Sequence, residues 1–475
     1  MALLTLDESL DMDLQEANKL FEKHLNRYLL RVFKVLGYDE MDIASAEGVE
    51  ITLRDGRKVL DFSGGIGICG VGHNHPRIIA AERKCQDRKV IDLMRVAPHR
   101  LQGALAHNIS ECLPEPLNVA FLTVSGAEAV EAAMKICERV QGPKRKTKFL
   151  CMEGAFHGKT HGALAMTTAA RFQRGFLMGI PGENVIRVPY GDSAAVEAAV
   201  KAETKNGTNP IIAVIVEPIR GEAAEVPPRG YLTDIARICR ENDIMSIFDE
   251  VKTGMGRTGK FCAFQYEDVV PDVVTLAKSL GGAKRAVGAM VTSQENFDKA
   301  YGSVKDCTLH TTGFGGLGST CAIAIETINI MHEDGLFENC AKQGAYFHDR
   351  LLALQEKHPK SILEVRGKGL FQALRFRFNE TLIAKILNLG SNDIFRTYQS
   401  VMIGALNREL YTRHDVLTHF QPGALDIMHF MPPLIVQKHQ IDQVVDGVDE
   451  VLTRGLADTT IKFVAANIKR VMTGG

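Results

Sequence analysis

The feature that most constrains the fold is a series of nearly continuous apolar runs of strand length, separated by segments with helical spacing. Strands that are apolar throughout are buried on both faces, and helical connections between them favour a mostly parallel sheet. The pattern therefore predicts an α/β domain. The runs are VAFLTV (Val119–Val124), KFLCM (Lys148–Met152), IIAVIVEPI (Ile211–Ile219), IMSIFDEV (Ile244–Val251), VVTLAK (Val273–Lys278) and VGAMV (Val287–Val291).

The segments on either side of this series have other patterns. Helical spacing runs from about Asp7 to Gly37, and Asp55-Gly56 separates two alternating runs, which predicts a hairpin. VRGKGLFQALRFRF predicts a second hairpin, and IDQVVDGVDEVLTRGL and IKFVAANIKRVM predict amphipathic helices. We therefore predict three parts: an N-terminal helix and hairpin that pack with the small domain (residues 1–74), a large α/β domain (75–350) and a small C-terminal α+β domain (351–475).

Charge and cysteine content exclude several kinds of protein. Lys and Arg number 56 and Asp and Glu 57, a formal charge of −1 that gives no electrostatic reason to expect a nucleic acid or a membrane partner. The 10 cysteines include no CxxC pair, so neither a zinc ribbon nor a dithiol redox site is predicted. Because the acidic N-terminus does not resemble a signal peptide and no long apolar run occurs, we predict a cytoplasmic protein.

Residues that could take part in binding or catalysis follow five of the apolar runs. In open parallel sheets the binding crevice lies outside the carboxyl ends of the strands, so we expect these residues to meet there. They are Ser125, Gly126 and Ala127, then Phe156 and His157, then Glu217, Asp249 and Lys278.

Each of these residues can also be explained by a structural role that involves no ligand. Ser125 at a helix start suits a phosphate, but it is also a common N-cap residue. A desolvated Lys278 becomes an amine nucleophile, whereas a lysine at a strand rim often only extends to solvent. Asp249 could hold a pyridine nitrogen protonated or form a structural ion pair. Phe156 and His157 could stack on a flat ring or belong to the core.

GAFHGKT (Gly154–Thr160) resembles a nucleotide-binding P-loop but is one residue too short. His157 and His161 are four residues apart, yet Gly158 lies between them, so no metal site is predicted. Taken together, a phosphate site, a stacking ring, a carboxylate and an amine nucleophile match the requirements of pyridoxal phosphate.

The wording of the motifs resembles that of the class III (ω-amino acid type) aminotransferases, which are fold type I pyridoxal phosphate enzymes, and most closely the putrescine and ornithine branch. The similarity runs from about residue 45 to 450. It is carried by DFSGGIGICGVGHNHP, SGAEAVEAAMK, GAFHGKT, EPIRGE, FDEVKTGMGRTGKFCAFQYEDVVPDVVTLAKSLGG, TTGFGG and RGKGL.

The resemblance implies a role for each residue. Lys278 would form the Schiff base and later move the substrate proton, and Asp249 would pair with the ring nitrogen, with Glu250 close by. Gly126 and Ala127 would hold the phosphate, with Ser125 at the turn. The resemblance further implies that Phe156 stacks on the ring with His157 beside it, that Glu217 lines the substrate side, and that a ping-pong reaction takes place.

Enzymes of this family are typically homodimers. The resemblance therefore implies that the TTGFGG loop, with Thr311 and Thr312, reaches into the active site of the neighbouring subunit.

The sequence departs from the family pattern at four positions. His429 replaces an arginine that grips a substrate carboxylate, which predicts weaker use of 2-oxoglutarate or another partner for the carboxylate. Gly313 replaces a threonine that contacts the neighbouring phosphate, and Leu317 replaces an asparagine that follows the TTGFGG motif. Lys252 replaces a glutamine beside the cofactor oxygen. These departures suggest a specialised branch. An aminomutase or a decarboxylase on the same fold remains the alternative, and a P-loop-like NTPase is a remote one.

Overall fold

The computed structural model describes residues 3–94, 96–177, 179, 181–377, 392–421, 424–456, 459–460 and 463. The helix predicted for IKFVAANIKRVM (residues 461–472) lies outside these residues, except for Phe463. None of the helices in the described part of the chain combines the length and the apolarity needed to cross a bilayer.

Fifteen strands are described, and they include all six that the apolar runs predict. They are β1 (Ile43–Glu47), β2 (Glu50–Leu53), β3 (Lys58–Asp61), β4 (Val119–Thr123), β5 (Lys148–Met152), β6 (Val185–Val188), β7 (Ile211–Val216), β8 (Met245–Asp249), β9 (Val273–Leu276), β10 (Gly288–Thr292), β11 (Ile362–Lys368), β12 (Phe371–Phe376), β13 (Val416–Leu417), β14 (His419–Gln421) and β15 (Ala424–Phe430).

The described α-helices precede, connect and follow these strands. They are α1 (Leu6–Asp11), α2 (Leu14–Phe21), α3 (Arg27–Leu36), the single turn α4 (Gly64–Gly67), α5 (Pro76–Asp87), α6 (Arg100–Glu111), α7 (Gly126–Gln141), α8 (His161–Met166), α9 (Ala170–Gln173), α10 (Ser193–Glu203), α11 (Tyr231–Glu241), α12 (Gln294–Tyr301), α13 (Gly318–Glu333), α14 (Leu336–Lys357), α15 (Asn392–His414) and α16 (Lys438–Arg454).

The largest sheet has seven strands in the order β4-β10-β9-β8-β7-β5-β6. Strands β5 to β9 pair in parallel, whereas β10 runs antiparallel to both β4 and β9. Every residue of β7 is buried, as expected for a strand covered on both faces. The prediction of a mostly parallel α/β sheet is confirmed.

Two four-stranded sheets contain the remaining strands. One is ordered β1-β2-β3-β13 and the other β11-β12-β15-β14. Both predicted hairpins are present, because β2 pairs with β3 and β11 with β12, each antiparallel. The parallel pairing of β3 with β13 joins the N-terminal hairpin to the C-terminal part of the chain. This pairing supports the predicted division into residues 1–74, 75–350 and 351–475, which itself stays a prediction.

The N-terminal segment differs from the single helix predicted between Asp7 and Gly37. The chain forms α1 to α3, with a break before α2 and a wider π-turn (Glu22–Asn26) before α3. Asp13 explains the break, because its carboxylate accepts hydrogen bonds from the amides of Gln15 and Glu16 and so begins a new helix. Gly37 ends α3 in the left-handed conformation, with φ of 76°.

Candidate active site

A cavity of about 460 Å³ lies at the carboxyl ends of the parallel strands. The position agrees with the general rule for open α/β sheets. Its wall contains eight of the twelve residues that the sequence predicts for the site, namely Gly126, Ala127, Phe156, His157, Glu217, Asp249, Lys252 and Lys278.

Lys278 lies two residues after the end of β9 and on the cavity wall. Its φ of 49° is in the left-handed region, which is uncommon for a residue with a side chain and is often found at functional sites. Within the described residues, its Nζ has no hydrogen-bonding partner. Burial lowers the pKa of Lys278, and the charges of Asp249 and Glu217 oppose that shift. A lysine with a lowered pKa supplies the neutral amine that nucleophilic attack requires.

Asp249 is the last residue of β8 and is 4% exposed. Its Oδ1 accepts hydrogen bonds from the amide of Val251 (3.0 Å) and the hydroxyl of Thr275 (2.9 Å), and its Oδ2 lies 2.7 Å from His157 Nδ1. Burial opposes protonation of His157, but the hydrogen bond and charge of Asp249 outweigh it and raise the pKa of His157. The carboxylate of Asp249 thus favours the protonated imidazole of His157 beside it on the cavity wall.

The helix α7 begins at the cavity with its amino end. Ser125 is the N-cap, and its hydroxyl accepts a hydrogen bond from the amide of Glu128 at 3.2 Å. The amides of Gly126 and Ala127 have no acceptor among the residues that the structure describes. A Cβ on Gly126 would lie 2.7 Å from Val251 Cγ1, so the glycine permits close packing there. Two free amides at a helix N-terminus form a ready anion site.

Glu217 connects two segments of the cavity wall. Its Oε1 accepts a hydrogen bond from the amide of Phe156 (3.0 Å) and its Oε2 from the amide of Gly221 (2.8 Å). Burial raises the pKa of Glu217, while the charge of His157 lowers it. The Phe156 ring contacts that of Phe172 edge to face, with the centroids 5.4 Å apart.

Besides Ser125, which caps α7, three predicted site residues do not line the cavity. Thr311 and Thr312 belong to a loop that does not line the cavity of its own chain, and Thr311 is exposed. His429 is fully buried in β15, opposite His419 of β14. The prediction that His429 faces a substrate therefore has no support from its position, because His429 does not line the cavity, although His419 opposite it does. Burial, then the charge of Lys252, lower the pKa of His429 well below its ordinary value.

Glu250 also points away from the cavity. It accepts hydrogen bonds from the hydroxyl of Thr253 and from the amide of Phe264 (2.8 Å). Burial raises the pKa of Glu250 to about 7. Its contacts are those of a buried structural carboxyl group.

Several residues of the wall were not singled out from the sequence. Ile66 and Ile68 belong to the quoted DFSGGIGICG motif, which could have pointed to them. The turn that carries them is held by Asp61, whose Oδ1 accepts from the amides of Ser63 (3.0 Å) and Gly64 (2.9 Å). Lys159 belongs to the quoted GAFHGKT motif, Gly221 and Glu222 to EPIRGE, and Val251 to the motif that begins FDEVKTG. No local pattern indicates the others, which reach the cavity through tertiary packing: Arg171, Phe172, His419 and Gln421.

The P-loop interpretation of GAFHGKT is wrong. A P-loop needs free amides to surround the phosphates. Here the amides at the start of α8, of Gly162 (2.9 Å) and Ala163 (3.1 Å), donate to the carboxylate of Glu131. Lys159 lies over the ring of Phe172, with its Nζ 4.7 Å from the centroid.

The residues of the cavity fit pyridoxal phosphate. The free Nζ of Lys278 suits an aldehyde, the two amides of α7 suit a phosphate, and the carboxylate of Asp249 suits a protonated ring nitrogen. His157 Nε2 is also buried and has no partner among the described residues. Fold and site together define a pyridoxal-phosphate-dependent transferase of fold type I.

Comparison with known proteins identifies the family within this class of transferases. The family model of class III aminotransferases matches residues 36–452. The chain therefore belongs to the class III aminotransferases and transfers amino groups with pyridoxal phosphate.

Solved structures of several transaminases are similar to this chain. The acetylornithine aminotransferase of Elizabethkingia anophelis has 27% identity and a TM-score of 0.73 over 93% of this chain and 100% of that one. An (S)-enantioselective ω-transaminase of Thermomicrobium roseum has 25% identity and a TM-score of 0.79, covering 95% and 99%. The ornithine aminotransferase of Toxoplasma gondii has 23% identity and a TM-score of 0.80, covering 97% and 100%.

Proposed function

We propose that this enzyme moves an amino group between a primary amine or ω-amino acid and an aldehyde, ketone or 2-oxo acid, with Lys278 and Asp249 as its catalytic residues. The observation that carries the proposal is their position. Lys278, Asp249 and the free amides of α7 line one cavity. The putrescine and ornithine branch is proposed on the strength of the sequence motifs.

Each of the proposed roles follows from a contact of the residue. Gly126 and Ala127 would bind the phosphate, while Phe156 would cover the ring and Lys278 Nζ would hold the aldehyde carbon. When bound, pyridoxal phosphate withdraws electrons from the carbon that carries the amino group. Asp249, held by Val251 and Thr275, would keep the ring nitrogen protonated. Once released from the aldehyde carbon, the Lys278 amine would accept the proton from the carbon that carries the amino group and return it to another atom.

The acceptor is proposed to be something other than 2-oxoglutarate. His429 is buried and its pKa is far below the ordinary value, so it carries no charge for a carboxylate at neutral pH. We expect purified enzyme to turn over pyruvate and simple aldehydes at least as efficiently as 2-oxoglutarate, measured as kcat/KM with one amine donor. A clear preference for 2-oxoglutarate would contradict the His429 argument.

The same assay separates the proposed reaction from its alternative. An aminotransferase releases an oxo product and retains the amino group on the cofactor until an acceptor arrives. An aminomutase returns an isomeric amine, and a decarboxylase releases carbon dioxide. Release of an oxo product without carbon dioxide, followed by reversal of the cofactor absorbance when acceptor is added, is the expected result.

The enzyme is proposed to be a homodimer with active sites at the interface. Large apolar side chains are exposed near the TTGFGG loop, among them Phe314 (64%), Leu309 (52%) and Val304 (96%). Exposed apolar side chains in such a group are typical of protein interfaces. Light scattering is expected to give twice the 52.2 kDa of one chain. A monomer with full activity would contradict the proposal.

We also propose a cytoplasmic location. All ten cysteines are free in the structure, and seven of them are buried, which suits a reducing compartment. A disulfide in the native purified protein would count against it.

A further inference from the structure

A second polar cluster lines the cavity, apart from the group around Lys278 and Asp249. It joins strand β14 to the loops that follow β7 and β8. The amide of Gln421, in the orientation that satisfies both neighbours, donates to Glu222 Oε1 (3.2 Å) and accepts from Lys252 Nζ (3.3 Å). Lys252 Nζ also donates to the carbonyl of Gly221 at 2.5 Å and lies 4.8 Å from the centroid of the Phe371 ring.

His419 lies two residues before Gln421 in β14 and, like Gln421, lines the cavity. Its Nε2 is shielded from solvent and has no hydrogen-bonding partner among the described residues. Burial, then the charge of Lys252, lower the pKa of His419 to about 4, although a hydrogen bond to Gln421 opposes the shift. A neutral imidazole presents Nε2 as either a donor or an acceptor, so the atom can pair with a hydroxyl or an amide.

The charged groups of this cluster already have partners within the protein. Gln421 bridges Lys252 Nζ and Glu222 Oε1, and Lys252 Nζ also donates to the carbonyl of Gly221. A buried charge on a ligand would therefore find no unpaired opposite charge in the cluster and would carry its full desolvation cost. An uncharged group with a donor or an acceptor would instead satisfy the open nitrogen of His419.

We propose that His419, Gln421 and Lys252 form a hydrogen-bonding subsite that selects amine substrates carrying an uncharged polar group, such as an amide or a hydroxyl, away from the reacting amino group. The inference rests on the proposed function, because it assigns the substrate class of the same cavity. His419 is the specificity-determining residue, and Gln421 and Lys252 orient it.

Four amines of matched length test the proposal: 4-aminobutanamide, its apolar analogue 4-methylpentan-1-amine, 4-aminobutanoate and 1,4-diaminobutane. Wild-type enzyme is expected to use the amide with a kcat/KM about tenfold higher than the apolar amine, the value of one buried hydrogen bond. It is also expected to prefer the amide to both charged amines. In His419→Phe the advantage over the apolar amine falls to about twofold, mainly through a higher KM.

His419→Asn, which keeps a hydrogen-bonding side chain, is expected to recover part of the preference. His107→Gln, at an exposed position on α6, serves as the matched control and leaves the preference unchanged. If His419→Phe does not fold, Gln421→Leu provides the same comparison. Equal use of the amide and the apolar amine by wild-type enzyme, or an equal loss for all four amines in His419→Phe, would overturn the proposal.

The absorbance of the bound cofactor distinguishes this failure from failure of the proposed function. If the proposed function is wrong, none of the amines changes that absorbance. If only the subsite is wrong, the amines change it without preference for the amide.

Discussion

Lys278→Ala is expected to lower kcat/KM by roughly 10⁴-fold, because one amine both holds the cofactor and moves the substrate proton. The Nζ lies on the cavity wall without a hydrogen-bonding partner in the described part of the chain, and burial lowers its pKa. The remaining contacts, through the amides of Gly126 and Ala127 and through Asp249, stay in place. The variant is therefore expected to bind pyridoxal phosphate but to turn over almost no amine.

Borohydride reduction followed by peptide mapping provides a readout that is independent of turnover. Wild-type enzyme is expected to carry the cofactor mass on the peptide that contains Lys278, and Lys278→Ala is expected to carry none. Lys299→Ala is the control, because Lys299 is 53% exposed and pairs with Glu295 on the surface of α12. Cofactor attached to another lysine in wild-type enzyme would refute the assignment of Lys278.

The strands of the large sheet could be predicted because strands buried on both faces are apolar along nearly their whole length. KFLCM coincides with β5, and the run that begins at Ile211 contains β7. The strand β6 (Val185–Val188) was missed, because it is short, lies at the sheet edge and contains Arg187. The reversed direction of β10 was not predicted either. Strand direction depends on the length of the connection, and only a short 3₁₀ turn (Lys278–Gly281) and loop separate β9 from β10.

The site could be predicted only where it follows strand ends. Lys278, Asp249 and Glu217 come from consecutive strands of one parallel sheet, so topology alone brings them together. His419 and Gln421 come from a three-residue strand of another sheet, and nothing near them in the sequence indicates that β14 approaches the cavity. For His429 the sequence shows the residue type, but whether its side chain faces the cavity or the interior depends on the register of β15.

Asp249→Asn is expected to lower kcat/KM by roughly 10²–10³-fold while the fold is retained. Asparagine keeps an oxygen for the amide of Val251 and the hydroxyl of Thr275, but it removes the negative charge that would hold the ring nitrogen protonated. The charge and hydrogen bond that raise the pKa of His157 are also lost, so burial then lowers that pKa. Steady-state kinetics, with the cofactor absorbance followed against pH, measure both effects.

Glu250→Gln is a closely matched control, because it neutralises the adjacent buried carboxyl group, which faces Thr253 and Phe264 and does not line the cavity. Its pKa of about 7 means that much of the wild-type protein already carries this group uncharged at neutral pH. Glu250→Gln is therefore expected to change kcat/KM by no more than a few-fold. Equal losses in both variants would show that negative charge in this region supports the fold, and that Asp249 does not act on the cofactor ring.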